Sequence, residues 1–133
     1  MSSEHNKAVV RKAIDALSRG DMAGFLADAA DDVSFTLIGS TPLSGTIRGK
    51  STIEQGLTTI LGQRLEGGAI AMTIENLIAD GEYVAEQASG VSRTHTGKDY
   101  NNTYCRVWRI VDGKIHSLTE YLDTELVSDA LCD

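Results

Sequence analysis

Four side chains near the C-terminal end carry the chemistry this sequence can offer. Asn102, Tyr104 and Arg106 recur at every second position of one strand-like stretch, and Glu120 follows in the next. A strand sends alternate side chains to one face, so an amide, a phenol and a guanidinium would share a side there. A carboxylate among them, in otherwise apolar surroundings, is suited to general acid or base chemistry. Desolvation would raise its pKa, while a phenol hydrogen bond and a nearby guanidinium would lower it. The net sign does not follow from sequence. Burial and proximity do: the Glu120 carboxylate is expected within hydrogen-bond reach of Tyr104 or Arg106, lining the largest cavity. Glu120 and Tyr104 are the expected catalytic pair, with Asn102, Arg106, Gln87, Ser89 and Leu118 as ligand contacts.

One residue of register decides whether these groups meet. If Val111-Asp112-Gly113 forms a three-residue turn ending in a left-handed glycine, Ile110 stands opposite Lys114. Tyr104 then faces Glu120, Arg106 faces Leu118 and Asn102 faces Leu122. A two-residue Asp112-Gly113 turn would pair Cys105 with Glu120 and disperse the set. Gln87 and Ser89 reach the same face only if the Thr96-Gly97 turn has even length; a shift of one residue puts Glu86 in place of Gln87. Three placements compete for Glu120: a ligand pocket, a structural ion pair with Arg106, and an exposed position. The first is the working expectation.

Other chemistries find little support. His5, His95 and His116 are scattered, without metal-ligand spacing, so no metal and no cofactor is expected. Gly45 and Gly67-Gly68 lack the strand–loop–helix unit of a phosphate cradle. Trp108 reads as packing, and Asp31-Asp32 as a helix end and solvated turn. Cys105 and Cys132 stand 27 residues apart, with no C-x-x-C pair, which suits a reducing compartment better than a disulfide scaffold. Cys132, next to the C-terminus, is expected to be mobile.

The chain is 133 residues long, the size of one domain, with 41% hydrophobic and 23% charged residues, which speaks against disorder. A formal net charge of −7 opposes non-specific nucleic-acid binding and adhesion to anionic membranes. No apolar run is long enough to span a bilayer, and residues 1–6 lack the apolar core of a secretory signal. A soluble cytoplasmic protein is the expectation.

The elements that would position the four groups fall into two unlike halves. Ser3 can cap a helix carrying Val10, Ile14 and Leu17, closed by Gly20, and Asp21 can cap a short second one. Residues 33–38 alternate like a strand, and a loop with Gly39, Pro42, Gly45 and Gly49 follows. Ser51-Thr52-Ile53-Glu54 has the form of a capping box before the stripe Ile53, Leu57, Ile60 and Leu61. From residue 69 the apolar period becomes two. Turn signals at Asp80-Gly81, Thr96-Gly97 and Asp112-Gly113 recur every 16 residues, bounding long strand-like stretches at 82–94, 100–111 and 114–123. Strands that long in a small domain must twist and curl. The expected fold is therefore α+β: a cone-shaped, curled antiparallel or mixed sheet packed on N-terminal helices in the order α-α-β-α-β-β-β-β, with a pocket between sheet and helices. Leu57 and Ile60 should bury against the concave side, with Leu57→Ala costing about 2–5 kcal/mol.

With this order the chain resembles the nuclear-transport-factor-2-like superfamily, and within it the SnoaL-like and ketosteroid-isomerase-like proteins, as a single domain over residues 1–133. The resemblance rests on Gly20-Asp21, Ala30-Asp31-Asp32-Val33, Ile47-Arg48-Gly49-Lys50, Tyr100-Asn101, Asp112-Gly113-Lys114-Ile115 and Glu120-Tyr121-Leu122-Asp123. It implies the cone fold firmly and an activity only loosely, because this fold hosts isomerases, cyclases, dehydratases, epoxide hydrolases and binders. Ketosteroid isomerases place an Asp base on the first strand and a Tyr donor in the first helix; here those places hold Thr36 or Leu37, and Ala13. Limonene-epoxide hydrolases use an Asp–Arg–Asp set, of which Glu120 matches one carboxylate while Gln87 and Ser89 stand at the other two positions. Polyketide cyclases of the SnoaL type need one acid/base carboxylate with neutral polar neighbours and fit best.

The resemblance thus implies a cofactor-free pocket protein acting on a small, mostly apolar organic molecule through Glu120, by cyclisation, isomerisation, dehydration or epoxide opening. A non-catalytic binder or carrier, and a protein-interaction module using the convex sheet face, are the alternatives. It also implies a homodimer closing over that convex face, with Cys105, Val107 and Val111 supplying apolar area.

Overall fold

A computed structural model of the chain describes residues 2–132. Helix α1 (Ser3–Ser18) buries the stripe Val9, Val10, Ala13, Ile14 and Leu17. Its cap lies one residue earlier than expected, where the Ser2 hydroxyl accepts a hydrogen bond from the His5 amide at 3.1 Å. Asp21 caps the short α2 (Met22–Phe25) by accepting from the Gly24 amide at 2.9 Å. Strand β1 (Ala29–Leu37) follows, then β2 (Gly45–Arg48), within the stretch expected to be a loop. All four β2 residues are exposed, so no apolar alternation marks the strand in sequence.

The capping box before α3 (Lys50–Arg64) is not used. The Gly49 amide donates to the Val33 carbonyl at 2.9 Å, which ties Gly49 to β1 and makes it the cap, with φ 99°. Ser51 is thereby already inside the first turn. A chain with a Cβ would be strained at that left-handed φ, so glycine suits the place.

Strands β3 (Ala71–Asp80), β4 (Tyr83–Val91), β5 (Thr103–Val111) and β6 (Lys114–Leu122) complete one sheet in the order β2-β1-β6-β5-β4-β3. The sheet is mixed, because β1 runs parallel to β6 while every other pair is antiparallel. It curls without closing, and helices α1 to α3 lie against its concave side. A further helix, α4 (Thr124–Leu131), is absent from the expected order. Asp123 caps it through the Glu125 and Leu126 amides, and Val127, Ala130 and Leu131 pack inward. That packing also brings Cys132, expected to be mobile, against the core in a half-buried position.

The β5–β6 hairpin corrects the expected register in an instructive way. Its turn has two residues, with Val111 opposite Lys114 and positive φ at both Asp112 (50°) and Gly113 (77°). Such a primed turn matches the twist of the flanking strands. Alone, it would set Cys105 against Glu120. A bulge at His116, between the Ile110–Ile115 and Arg109–Ser117 pairs, restores the parity. Arg106 therefore faces Glu120, Tyr104 faces Leu122 and Trp108 faces Leu118, each two residues from the expected partner but on the expected face.

The core is continuous from α1 through Trp108, Ile110 and Leu118 to α4. Ile53 is 1% exposed, whereas Leu57 and Ile60 are only half-buried, because they border an open cavity rather than packed side chains. Removing atoms from a wall that already faces empty space leaves less new void than removing them from a filled site. Ile53→Ala is therefore expected to lower stability by about 2–5 kcal/mol, and Leu57→Ala by distinctly less, in chemical denaturation of the two variants. Equal losses would mean that α3 closes over the sheet without a cavity beneath Leu57.

Candidate functional site

The interior cavity measures about 170 Å³. Leu17 and Phe25 come to it from α1 and α2, Phe35 and Leu37 from β1, Leu57, Ile60 and Leu61 from α3, and Leu131 from α4. Ile47 of β2, 39% exposed, stands at its mouth beside Gly45 and Leu43. Among the lining side chains only Tyr100, Tyr104, Arg106 and Glu120 carry polar atoms. Two surface depressions are larger in volume, at about 620 and 420 Å³, but are open: one runs along α1 and β3, the other over Gln87 and Tyr121. The cavity that Glu120 lines is thus the interior one, not the largest.

Three adjacent strands supply an ionic chain. Arg106, on β5, donates from Nε to Glu120 Oε2 on β6 at 2.7 Å and from Nη1 to Glu86 Oε2 on β4 at 2.7 Å. Trp108 Nε1 donates to Glu86 Oε1 at 3.0 Å. The third guanidinium nitrogen faces Met72 Sδ at 3.7 Å, and its carbon sits 4.3 Å from the centre of the Tyr104 ring, a cation–π contact. Arg106 and Glu86 are fully buried, and Glu120 is 8% exposed, on the cavity side.

Electrostatics follow from this packing. Burial pushes the Glu86 carboxyl above its ordinary 4.5, against the opposing pull of Arg106 and the Trp108 hydrogen bond. Burial opposes the Arg106 charge too, but Glu120 and Glu86 outweigh it and hold the guanidinium above its ordinary pKa. Tyr100 and Tyr104 are both driven upward, chiefly by burial, so each keeps its proton at neutral pH. The Tyr100 hydroxyl accepts from Asn102 Nδ2 at 3.2 Å. The Tyr104 hydroxyl, in a residue 4% exposed, makes no hydrogen bond of good geometry among the described residues; its polar neighbour is the Tyr100 hydroxyl, which adds to burial in raising its pKa. Gly90 makes room for that ring: a Cβ there would lie 3.1 Å from Tyr104 Cε1 and 2.7 Å from Ile70 Cγ2.

The structure gathers Glu120, Arg106 and Tyr104 at one wall and disperses the other expected contacts. Asn102 is buried behind the site, where it donates to the Asp123 carbonyl at 3.1 Å and accepts from the Asp123 amide at 3.2 Å. Leu118 packs in the core opposite Trp108 and does not line the cavity. Gln87 and Ser89 turn to the other face of the sheet, where Gln87 accepts from Asn76 Nδ2 at 3.2 Å. The reason is the β4–β5 connection: Thr94 accepts and donates across to Lys98, leaving three residues between them. The odd count puts Glu86, not Gln87, opposite Arg106. Glu86 is the residue that a one-residue shift puts in place of Gln87, and the odd loop length is the signal that selects it. Tyr100, which precedes β5, and Leu37, which pairs with Glu120 across the parallel ladder, also line the cavity without having been singled out for it.

Removing Arg106 strands two carboxylates out of water, so Arg106→Met is expected to cost about 3–5 kcal/mol near neutral pH. The pH dependence has a definite sign. The folded state holds the Glu86 proton more tightly than the unfolded chain does, so this group's contribution is full below 4.5 and is lost as pH rises through the raised value. Without Arg106 that pKa climbs further. The stability gap between wild type and Arg106→Met should accordingly widen from acid to neutral pH in denaturant titrations; a constant gap would mean the carboxylates are hydrated.

Comparison with known proteins places this architecture. Among curated proteins none matches the chain. Solved structures do. An NTF2-like protein from Burkholderia thailandensis is 27% identical, with TM-score 0.82 over 98% of each chain. TerC, co-crystallised with polyporic acid, is 19% identical, with TM-score 0.82 over 97% of this chain and 99% of its own. An LEH-like epoxide hydrolase from M. tuberculosis is 19% identical, with TM-score 0.75 over 98% and 91%. The latter two bear on the fold alone. The SnoaL-like domain profile matches residues 10–118, from within α1 to β6, and the chain belongs to this SnoaL-like family of the NTF2-like superfamily.

Proposed function

We propose that this protein takes a small, mostly apolar organic molecule into its interior cavity and moves a proton on it with Glu120. The observation that supports this is a carboxylate oxygen left unused by the protein itself, with a protonated phenol on the same wall. Glu120 Oε2 is held by Arg106, while Oε1 carries no hydrogen bond among the described residues. The Tyr104 hydroxyl has the Tyr100 hydroxyl as its polar neighbour and makes no hydrogen bond of good geometry. One is an acceptor and base, the other a donor whose raised pKa keeps its proton on. A ligand oxygen resting on Tyr104 would have developing negative charge stabilised in an apolar setting, while Glu120 removes a proton from a neighbouring atom. Tyr104 and Glu120 are the catalytic residues of this reading, and Arg106 is a positioning residue.

The set Glu86–Arg106–Glu120 also has the acid–arginine–acid make-up used in epoxide opening. Glu86, however, spends its two oxygens on Arg106 and Trp108 and does not line the cavity. It has no path to a water or an epoxide. Proton transfer within a cyclase- or isomerase-type reaction therefore fits better. The second reading is a binder using the same cavity without chemistry.

A homodimer is proposed on the convex face. Tyr83, Val91 and Tyr121 are about half exposed there, next to Cys105, Val107 and Val111. No helix among the described residues covers that side.

Two outcomes are expected. A cyclic ketone such as 2-tetralone, incubated in heavy water, should exchange its α-hydrogens faster with the protein present, and Glu120→Gln should lower that acceleration by about 10²–10⁴-fold with affinity nearly intact. Binding without any acceleration would favour the binder. Sedimentation at micromolar concentration should show twice the 14.3 kDa chain mass; a species of single chain mass would refute the dimer.

A further inference from the structure

The charge balance around Arg106 bears on which ligands the cavity accepts, and here the inference rests on the cavity being a ligand pocket, as proposed above. Arg106 is the only cation among the described lining residues. A lone arginine in an apolar pocket is ordinarily the group that would receive a carboxylate, through its two-pronged fork. Here the fork is occupied. Nε serves Glu120, Nη1 serves Glu86, and Nη2 is turned toward the Met72 sulfur. The flat face of the guanidinium is covered by the Tyr104 ring. Three of its five N–H groups are so directed, and every two-nitrogen edge of the fork includes a nitrogen that already donates to the protein, so none offers an incoming carboxylate a clear bidentate grip.

The sum of charges points the same way. Two carboxylates share one guanidinium, so with both ionised the cluster carries one net negative charge in apolar surroundings. An anionic ligand would stand against Glu120 with no counter-charge of its own. By contrast, Glu120 Oε1, which carries no hydrogen bond among the described residues, and the Tyr104 hydroxyl, whose polar neighbour is the Tyr100 hydroxyl, together match one functional group: a neutral hydroxyl, which donates and accepts at once. At about 170 Å³ the cavity has the scale of a single ring, since a void of about 150 Å³ admits benzene. A second ring would extend toward Ile47, a lining residue that is 39% exposed.

We infer that the cavity selects a neutral one- or two-ring molecule bearing a hydroxyl or enol, which donates to Glu120 and accepts from Tyr104, and that it rejects the same scaffold carrying a carboxylate. Arg106 is thus a specificity determinant by being unavailable. Its positive charge orients Glu120 and does not recruit acids.

Three probes of one shape test this by calorimetry near neutral pH: naphthalene, 2-naphthol and 2-naphthoate. The wild type should bind 2-naphthol at least about tenfold more tightly than 2-naphthoate, as expected for a like charge a few ångström from Glu120 in a medium of intermediate dielectric. It should also prefer 2-naphthol to naphthalene, and Tyr104→Phe should reduce that preference about fivefold. Glu120→Gln, with its fold checked by circular dichroism, should narrow the naphthol-to-naphthoate ratio by about an order of magnitude, because the cluster becomes neutral. If that variant does not fold, the wild-type ratio and Tyr104→Phe still decide. Naphthoate binding as tightly as naphthol would overturn the inference while leaving the pocket intact. Failure of all three probes to bind the folded protein would remove the pocket itself, and this inference with it.

Discussion

A guanidinium shut away from water must find its charge balance inside the protein, and Arg106 finds it on both neighbouring strands. The consequence reaches well beyond one ion pair. Hydrophobic alternation fixes which side chains of a strand point inward, but a slip of two residues leaves that alternation unchanged. Such a slip of β6 along β5 would set Arg106 against Leu118 and Glu120 against Tyr104, with every apolar residue still facing the core. A slip of β4 would likewise part Glu86 from Arg106. The ionic chain distinguishes between registers that burial alone treats as equal. Losing one partner of a buried pair costs several kcal/mol, enough to make the slipped states rare. Breaking the degeneracy of a meander is the structural role that Arg106 fills.

The same constraint shapes the cavity. Glu120 cannot swing out toward the mouth without leaving Arg106, and Arg106 cannot follow it because Glu86 and Trp108 hold the far end. One carboxylate oxygen is therefore pinned while its twin is left free. In the proposed reading that is preorganisation, because the carboxylate is already held in place before a ligand arrives. The apolar walls contribute differently. Leu57 and Ile60 of α3 are half-buried, and glycines at positions 45 and 56 add no side chain to fill the space. Stability that a filled core would have supplied is forgone where the chain keeps a ring-sized void.

Much of this was legible in the sequence, and the parts that were not have identifiable causes. The three helices of the first half and the long strands followed from 3.6- and 2-residue periods, since burial imposes those periods directly. Strand β2 was hidden because all four of its residues are exposed and no alternation could mark it. Helix α4 is missing from the expected order although Asp123 and the spacing of Val127, Ala130 and Leu131 announce it; the last strand-like stretch ends at residue 123 and the eight residues after it carry no assignment. At the β5–β6 hairpin two departures add. The shorter turn moves the register by one residue and the His116 bulge by one more in the same direction, so the faces are as expected and the partners are two residues away. A bulge has no apolar signature of its own. Gln87 and Ser89 failed for a plainer reason, the parity of a loop whose length was left undecided.

The comparison with isomerases shows how little of an activity a fold dictates. The first strand, where ketosteroid isomerases carry their base, has Leu37 here, and that leucine lines the cavity. Yet Leu37 pairs across the parallel ladder with Glu120, so a carboxylate reaches the same wall from the adjacent strand. The first helix offers Ala13 where those isomerases carry a tyrosine, while a phenol, the donor of the proposed reading, comes here from Tyr104 on β5. A cone-shaped sheet makes such exchange of positions easy, because neighbouring strands converge on one cavity and any inward position can present a polar group to it. What the fold itself supplies is the concave space between sheet and helices. Which strand arms it, and whether the armed group comes with an arginine already neutralised, is settled by the individual sequence.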